Sequence, residues 1–429
     1  MLLIFTKKQT PRITYVFKQL CGNILGLETK FTSKIEEFIA HEGPKLSYGK
    51  QKMGNELFIQ QTDLLFEQGF SDVEINFGKW DEVPCFFRVS EKSDLPFDIF
   101  AASFYLLSRY EEYLPYVKDK FGRFPAEESL IQKEGFLHLP LVDIWTLKFK
   151  KIVQARFPET KFLKKNFKTN TVIGVSQAYL YQKKGIVRTV GASMRDFLGF
   201  RLKSILERFK VLVFRTKDPY DVYDDLVGFS KENHVHLHFM FQLSNYSAVN
   251  KNIGYHKVKY HSLIKSMDDY GSVGLLLGNE AVVDFKQLRT EKKRFEAIVN
   301  QPLELVLNDR FDLNLPESYN NFDKIELKKD FSMGYVNNIG FRAGTSKPFL
   351  FYDLSLERIS PLWVKPYVFN SKLLKNKALQ EANDELMLVK QEVEKVNGEF
   401  TMIFENSDFS TENNRTKLFD LIKRIHEPA

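Results

Sequence analysis

Cysteine is nearly absent: Cys21 and Cys85 are the only two in 429 residues. Two thiols exclude a disulfide framework and a zinc site built on cysteine, and they fit a reducing compartment. Long apolar runs are missing as well, since no stretch nears the roughly 18 consecutive apolar residues that mark a membrane span. The opening MLLIFTKKQTPRITYVF has four apolar residues between Met1 and Thr6 before Lys7 and Lys8 interrupt them. That is not the order of a secretory leader, which runs from a basic region through a long apolar core to a small-residue cleavage site. The expectation is a cytoplasmic chain without a membrane span.

What is present is ordinary globular material. At 43% hydrophobic and 27% charged, the chain can bury a sizeable core, and its length fits two or three domains. Aromatic residues reach 14%. Thick α/β packing accounts for that excess, and an aromatic-lined sugar groove is the sharper reading. The formal charge of +7 raises nucleic acid and anionic membrane as partners. Lysines, however, are mixed with acids in EKKRFE and KQEVEK rather than forming one stripe. The expectation is a solvated surface and no nucleic-acid partner.

The chain is organised around residues 171–181, TVIGVSQAYLY. This β-branched apolar run, set between the basic KKNFKTN and QKKG, reads as a buried strand that opens an α/β domain. Before it, residues 1–165 read as an N-terminal α+β unit. That unit holds a helix over 13–25, a strand and helical turn in ELFIQQTDLLFEQG, and a buried helix in LPFDIFAASFYLLSRYEEYLP stopped at Pro115. Its Arg109, Glu111, Glu112, Asp119 and Arg123 read either as an ion-pair network that fixes the fold or as a polar surface facing a second domain or a ligand.

Residues 166–370 alternate strands and helices as βαβ units do. Strands are expected at HVHLHFMFQL, GSVGLLLG, LELVLN, FSMGY, FLFYDL and WVKPYVF, with helices at DPYDVYDDLVGFSKEN and DFKQLRTEKKRFEAIVNQ. Residues 371–429 read as an appendage packed on that unit. Its first helix carries Leu379, Ala382, Leu386, Val389, Val393 and Val396 and ends at Gly398; the strand EFTMIFE and a closing helix follow.

Several segments carry a resemblance: SRYEEY at 108–113, GRF at 122–124, PLVDIW at 140–145 and DFSMGYVNNIGFRAGTSKPFLFYDL at 330–354. Together with TVIGVSQAYLY they resemble the polysaccharide deacetylases, the NodB-type carbohydrate esterases, in the subgroup with a long N-terminal extension. The resemblance implies an α/β fold: a deformed (β/α) barrel preceded by an α+β N-terminal domain, with active groups at the C-terminal ends of the strands. It also implies metal-assisted N-deacetylation. One Asp and two His hold a divalent ion that activates water, a second Asp takes the proton, and a further His protonates the leaving amine.

The frame of that site stands here without its chemistry. Ala178, Tyr179, Tyr181 and Gly185 of the first motif remain, but Gly174 and Ser176 occupy the places of its two carboxylates. In VGLLLG, residues 273–278, Leu276 stands for a histidine. In LNDRF, residues 307–311, Arg310 stands for another, and a permanent cation cannot serve as a base. KPY at 365–367 replaces the motif that offers the general acid, and the closing aromatic-His-Asn motif reads Phe404, Glu405, Asn406.

Two other sets offer chemistry. His234, His236 and His238 recur at period 2 and would share a strand face like a His-x-His metal pair, or serve as core and strand-end histidines with hydrogen-bonded partners. Glu280, Asp309, Asp312 and Lys365 would form a rewired acid–base site if buried together, and are otherwise loop charges. The resulting expectation is a catalytically degenerate relative of the deacetylases, with no metal or cofactor. It would bind a glycan or glycoconjugate, or scaffold a protein partner, in surface-polysaccharide or glycoconjugate metabolism. Tyr179, Tyr335 and Arg342 are the residues left to bind sugar, beside a reading as core packing and a buried ion pair. The alternatives are an active hydrolase with relocated residues and an interaction module acting through the N-terminal domain.

Overall fold

The computed structural model describes residues 1–427 apart from 248, 309 and 311. Near the N-terminus, β1 (Leu2–Phe5), β2 (Thr29–Thr32), β3 (Lys45–Gly49) and β4 (Leu57–Gln60) form a parallel sheet in the order β2-β1-β3-β4. A hairpin of β5 (Gly78–Trp80) and β6 (Val83–Cys85) follows. The expected helix over 13–25 begins at Pro11, because Thr10 accepts the Ile13 N–H as its cap and proline suits the first turn. It continues past Phe17 as a π-helical stretch to Ile24. Helix Ile99–Leu107 is apolar on nearly every side and buried at every residue, with the Asp98 carboxylate capping the N–H groups of Phe100 and Ala101.

A second sheet contains β7 (Lys168–Val175), β8 (Leu237–Gln242), β9 (Ser272–Leu277), β10 (Leu305–Asn308), β11 (Lys329–Asp330), β12 (Phe349–Asp353), β13 (Arg358–Val364), β14 (Phe369–Asn370) and β15 (Glu399–Glu405). Its order is β12-β13-β11-β10-β9-β8-β7-β15-β14, parallel throughout except for the edge strand β12. Without β12, the strands follow chain order from β7 to β13 in one direction, and β14 and β15 return to β7 from the other. That cyclic order is the order of a (β/α) barrel left open between β13 and β14.

The interior follows the same plan. Val172, Met240, Leu276, Leu305, Leu307, Phe331, Tyr367 and Ile403 form a buried cluster of their own, drawn from strands or strand ends all around the sheet. Side chains from so many strands meet only inside a curled sheet, and here they fill it. Tyr367, beside the opening, donates its N–H to the Met333 carbonyl at 3.0 Å.

Three expectations are corrected. The strand that opens the α/β unit ends at Val175 rather than at Tyr181, because the next N–H groups turn away from the ladder. Ala178 donates to Asn252, and Leu180, Tyr181 and Gln182 all donate to Asp218. FSMGY is no strand, since β11 stops at Asp330. There the Ser332 N–H and hydroxyl both donate to the Asp330 carboxylate, a local bond that competes with strand pairing. Residues 371–429 do more than pack on the barrel: β15 pairs with β7 along all seven of its residues and so belongs to the sheet.

Buried polar contacts join the N-terminal part to the barrel. Asp143 accepts from Thr345 Oγ1 and from the N–H and Oγ of Ser346 at 2.6–2.8 Å. Gly340 lies in the same seam, at φ +140°, where a Cβ would stand 2.4 Å from the Leu137 carbonyl oxygen. Gly340→Ala is therefore expected to cost about 3 kcal/mol from backbone strain and overpacking together. A lowered urea midpoint checks it, and an unchanged midpoint would show that the seam can open at no cost.

Candidate ligand site at the barrel mouth

The loops that leave the C-terminal ends of the strands surround a cavity of about 600 Å³. Asn279 follows β9, Arg310 follows β10, Val336 and Asn337 follow β11, and Lys372, Lys375 and Asn376 follow β14. The N-terminal part adds one wall, made of Lys120, Phe121 and Arg123. Five of these side chains are cationic, and among the described residues no carboxylate or imidazole lines the cavity. The acids that steady the cations stand outside the lining. Arg310 pairs with Asp312 at 3.1 Å, Arg123 with Asp119 at 2.7 Å, and Lys372 with Glu405 at 3.2 Å. The Arg123 guanidinium lies 4.7 Å from the centre of the half-exposed Phe121 ring. Cations, amide donors and an aromatic face thus converge on one cavity, whose lining is positive and rich in hydrogen-bond donors.

Two of the three residues singled out for sugar binding meet behind this cavity. Tyr335 and Arg342 border a recess of about 90 Å³ that shares Arg123, Val336 and Asn337 with the mouth. Both are buried. Arg342 grips Glu112 through Nε and Nη2 at 2.8 and 2.7 Å, and Arg109 Nε reaches the same carboxylate at 2.7 Å. Burial alone would raise the Glu112 carboxyl, but Arg342 and Arg109 hold it below its ordinary value. The Tyr335 phenol is pushed up to about 12 by burial. Tyr179 stands apart, in the loop after β7, edge-on to Tyr223 and under the Lys183 ammonium; burial and then Asp221 and Asp218 raise its phenol to about 12.

The charged residues of the N-terminal part thus divide in two. Arg109, Glu111 and Glu112 form a buried network that reaches the barrel at Arg342. Asp119 and Arg123 form a separate pair at the mouth.

The positions that the resemblance assigns to metal ligands do not fit a metal. A Cβ added to Gly174 would meet the two Leu276 methyl carbons at 3.8 Å, so these two positions adjoin and hydrocarbon fills the space between them. Leu276 belongs to the barrel's interior cluster. Among the described residues, no group of three or more His, Cys, Asp or Glu could hold an ion.

The histidine trio does not share a strand face. His234 takes a left-handed conformation, φ 54°, as the cap of helix Tyr223–Asn233, before β8 begins. His236 bonds to Ser272 Oγ at 2.8 Å, and His238 packs on Phe331. Both sit beside the N-terminal ends of β8 and β9, the end opposite the mouth. Lys365 lies at that end too, 3.3 Å from Glu399 at the start of β15. It is therefore separated from Asp312 and from Glu280 of helix Asn279–Val283, while Asp309 and Phe311 fall outside the described residues. The described members of the rewired acid–base set, Glu280, Asp312 and Lys365, do not converge.

Burial, together with His236, Lys365 and Lys329, pushes the His238 imidazole down to about 3. A depressed folded value means that the unfolded chain takes up the proton first. The stability linked to neutral His238 is full above pH 6.5 and is lost as pH falls through 6.5 towards 3. His238→Phe is expected to remove about 2 kcal/mol of the loss between pH 7 and pH 4.5. Urea midpoints at the two pH values, wild type against variant, check this, and parallel losses would contradict it.

Comparison with known proteins adds the following. Residues 2–158 match a family described as a family of unknown function, DUF7033. No curated protein matches the chain. Among solved structures, the chain is similar to a CE4 family pseudoenzyme from Bacillus anthracis, with 8% identity and a TM-score of 0.31 over 61% of this chain and 60% of that one. It is also similar to a polysaccharide deacetylase from Bacillus cereus, with 9% identity and a TM-score of 0.29 over 61% and 88%. A third such structure is Puue allantoinase, with 8% identity and a TM-score of 0.38 over 61% and 84%. Fold alone does not fix chemistry, which rests on this chain's own side chains.

Proposed function

We propose that this chain is a non-hydrolysing relative of the polysaccharide deacetylases whose barrel mouth binds an anionic glycan or glycoconjugate. The observation that supports this reading is the mouth cavity, where Lys120, Arg123, Arg310, Lys372 and Lys375 converge with three asparagines and Phe121 on a space of about 600 Å³. That space takes a short oligosaccharide. Uronate or phosphate groups supply the charge that guanidinium and ammonium groups recognise. Metal-assisted hydrolysis needs an ion, a base and an acid, and Gly174, Ser176, Leu276 and Arg310 offer none of them.

In this reading residues 1–165 form an accessory unit that walls one side of the mouth, the barrel runs from β7 through β15, and the protein acts in the cytoplasm on glycoconjugate metabolism. The test is a binding panel that sets oligouronates against neutral chitooligosaccharides, with acetate release followed in parallel. The reading expects retention of the uronates and no acetate. Equal binding of neutral chains, or acetate release that Arg310→Ala abolishes, would overturn it.

A further inference from the structure

Between the loop after β7 and helix Tyr223–Asn233 the chain forms a hairpin of two helices, Ile186–Leu198 and Leu202–Val213. Its amphipathicity is inverted. The side chains turned inward are mostly polar, with Val211 beside them: Arg208 pairs with Asp196 at 2.5 Å and donates to Ser193 Oγ at 2.8 Å, and its guanidinium lies over the Tyr181 ring. The apolar side chains are turned outward. Val190, Met194, Phe197 and Leu198 follow helical spacing on the first helix, and Leu202, Leu206, Phe209 and Val213 do so on the second. Phe200, at the turn, is 88% exposed, Leu198 72% and Phe197 66%. Scattered exposed apolar residues need no explanation, but a contiguous face of this kind does.

Charge identifies what covers it. Residues 186–217 contain eight basic residues against two acidic ones, a net +6 in a chain whose whole formal charge is +7. Both acids are engaged inside, Asp196 with Arg208 and Glu207 with the Tyr181 hydroxyl. Arg195, Arg201, Lys210 and Arg215 remain exposed around the apolar face. Phenylalanine and leucine ringed by exposed cations is the composition of a helix that lies in a membrane interface, with the apolar side chains among the acyl chains and the cations at anionic headgroups. We infer that the hairpin at 186–213 docks this protein on an anionic lipid surface. Among the described residues no helix is long and apolar enough to cross a membrane, and interfacial docking needs none. The inference stands independently of the glycan reading.

The test uses the full chain, sedimented with phosphatidylcholine vesicles that do or do not contain phosphatidylglycerol. The wild type is expected to sediment with the anionic vesicles, and to do so less at high salt. Arg195→Gln, Arg201→Gln and Lys210→Gln combined are expected to weaken binding about a hundredfold, at roughly fivefold per cation removed. Phe197→Ser, Phe200→Ser and Phe214→Ser combined should also abolish sedimentation while leaving the melting temperature unchanged, because all three side chains are exposed. Wild type that stays in the supernatant would overturn the inference, as would variants that sediment like wild type. A phenylalanine variant that turns a dimer into a monomer, with no vesicle binding by either form, would assign the face to a second copy and overturn it as well.

Discussion

Replacing Glu112 by alanine is expected to destabilise the protein by about 4 kcal/mol, because one substitution leaves two guanidinium groups buried without their shared counter-ion. Arg109 and Arg342 both direct their Nε to Glu112 Oε1, and Arg342 adds a second bond to Oε2. All three side chains are almost wholly shielded from water. The pair cannot be rescued by solvent, so the loss far exceeds the 0–1 kcal/mol typical of surface ion pairs. Arg109 keeps Glu111 at 2.8 Å, whereas Arg342 has no second carboxylate among its hydrogen-bond partners in the described residues. Glu112→Gln keeps the shape and removes the charge, and is expected to cost nearly as much. Urea unfolding of the two variants measures this, and a loss below about 1 kcal/mol in both would mean that the network does not hold the N-terminal part to the barrel.

The second large effect concerns the mouth. Arg310→Glu and Lys375→Glu together are expected to weaken binding of an oligouronate by about 3 kcal/mol, roughly a hundredfold in Kd. Both side chains are exposed and outside the interior cluster, so the melting temperature should not move. The salt dependence should fall with the affinity, since the removed interaction is between charges reached by water. A variant that binds like wild type would place the ligand elsewhere, whatever the wild-type affinity.

How much of this was legible in the sequence depended on whether the deciding contacts were local. Parallel strands are covered on both faces and read as continuous apolar runs, which is why EFTMIFE, GSVGLLLG and LELVLN all fall on strands. The end of β7 was not legible. Ala178, Tyr179 and Tyr181 extend the apolar pattern, and what turns the chain away is Asp218, far along the sequence. FSMGY was misread for the converse reason, since the short Asp330–Ser332 contact that ends β11 leaves the apolar pattern intact.

At the mouth, Arg310 was legible only as a missing histidine. Lys120, Lys372 and Lys375 carried no signal, because the fold alone brings 120–123 and 372–376 to one cavity. The hairpin shows the opposite case. Its eight basic residues against two acidic ones stand in plain sequence, but the mixed acidic and basic segments elsewhere in the chain dilute them.

Recognition of an anionic glycan at the mouth, by charge and without a metal, is a proposal that one titration can decide. Calorimetric titration of the protein with a uronate oligosaccharide, once in chelator and once with zinc supplied, tests it most directly. The same affinity is expected in both, lowered by salt. Binding that appears only with zinc, or acetate released from an acetylated oligosaccharide under that condition, would contradict it.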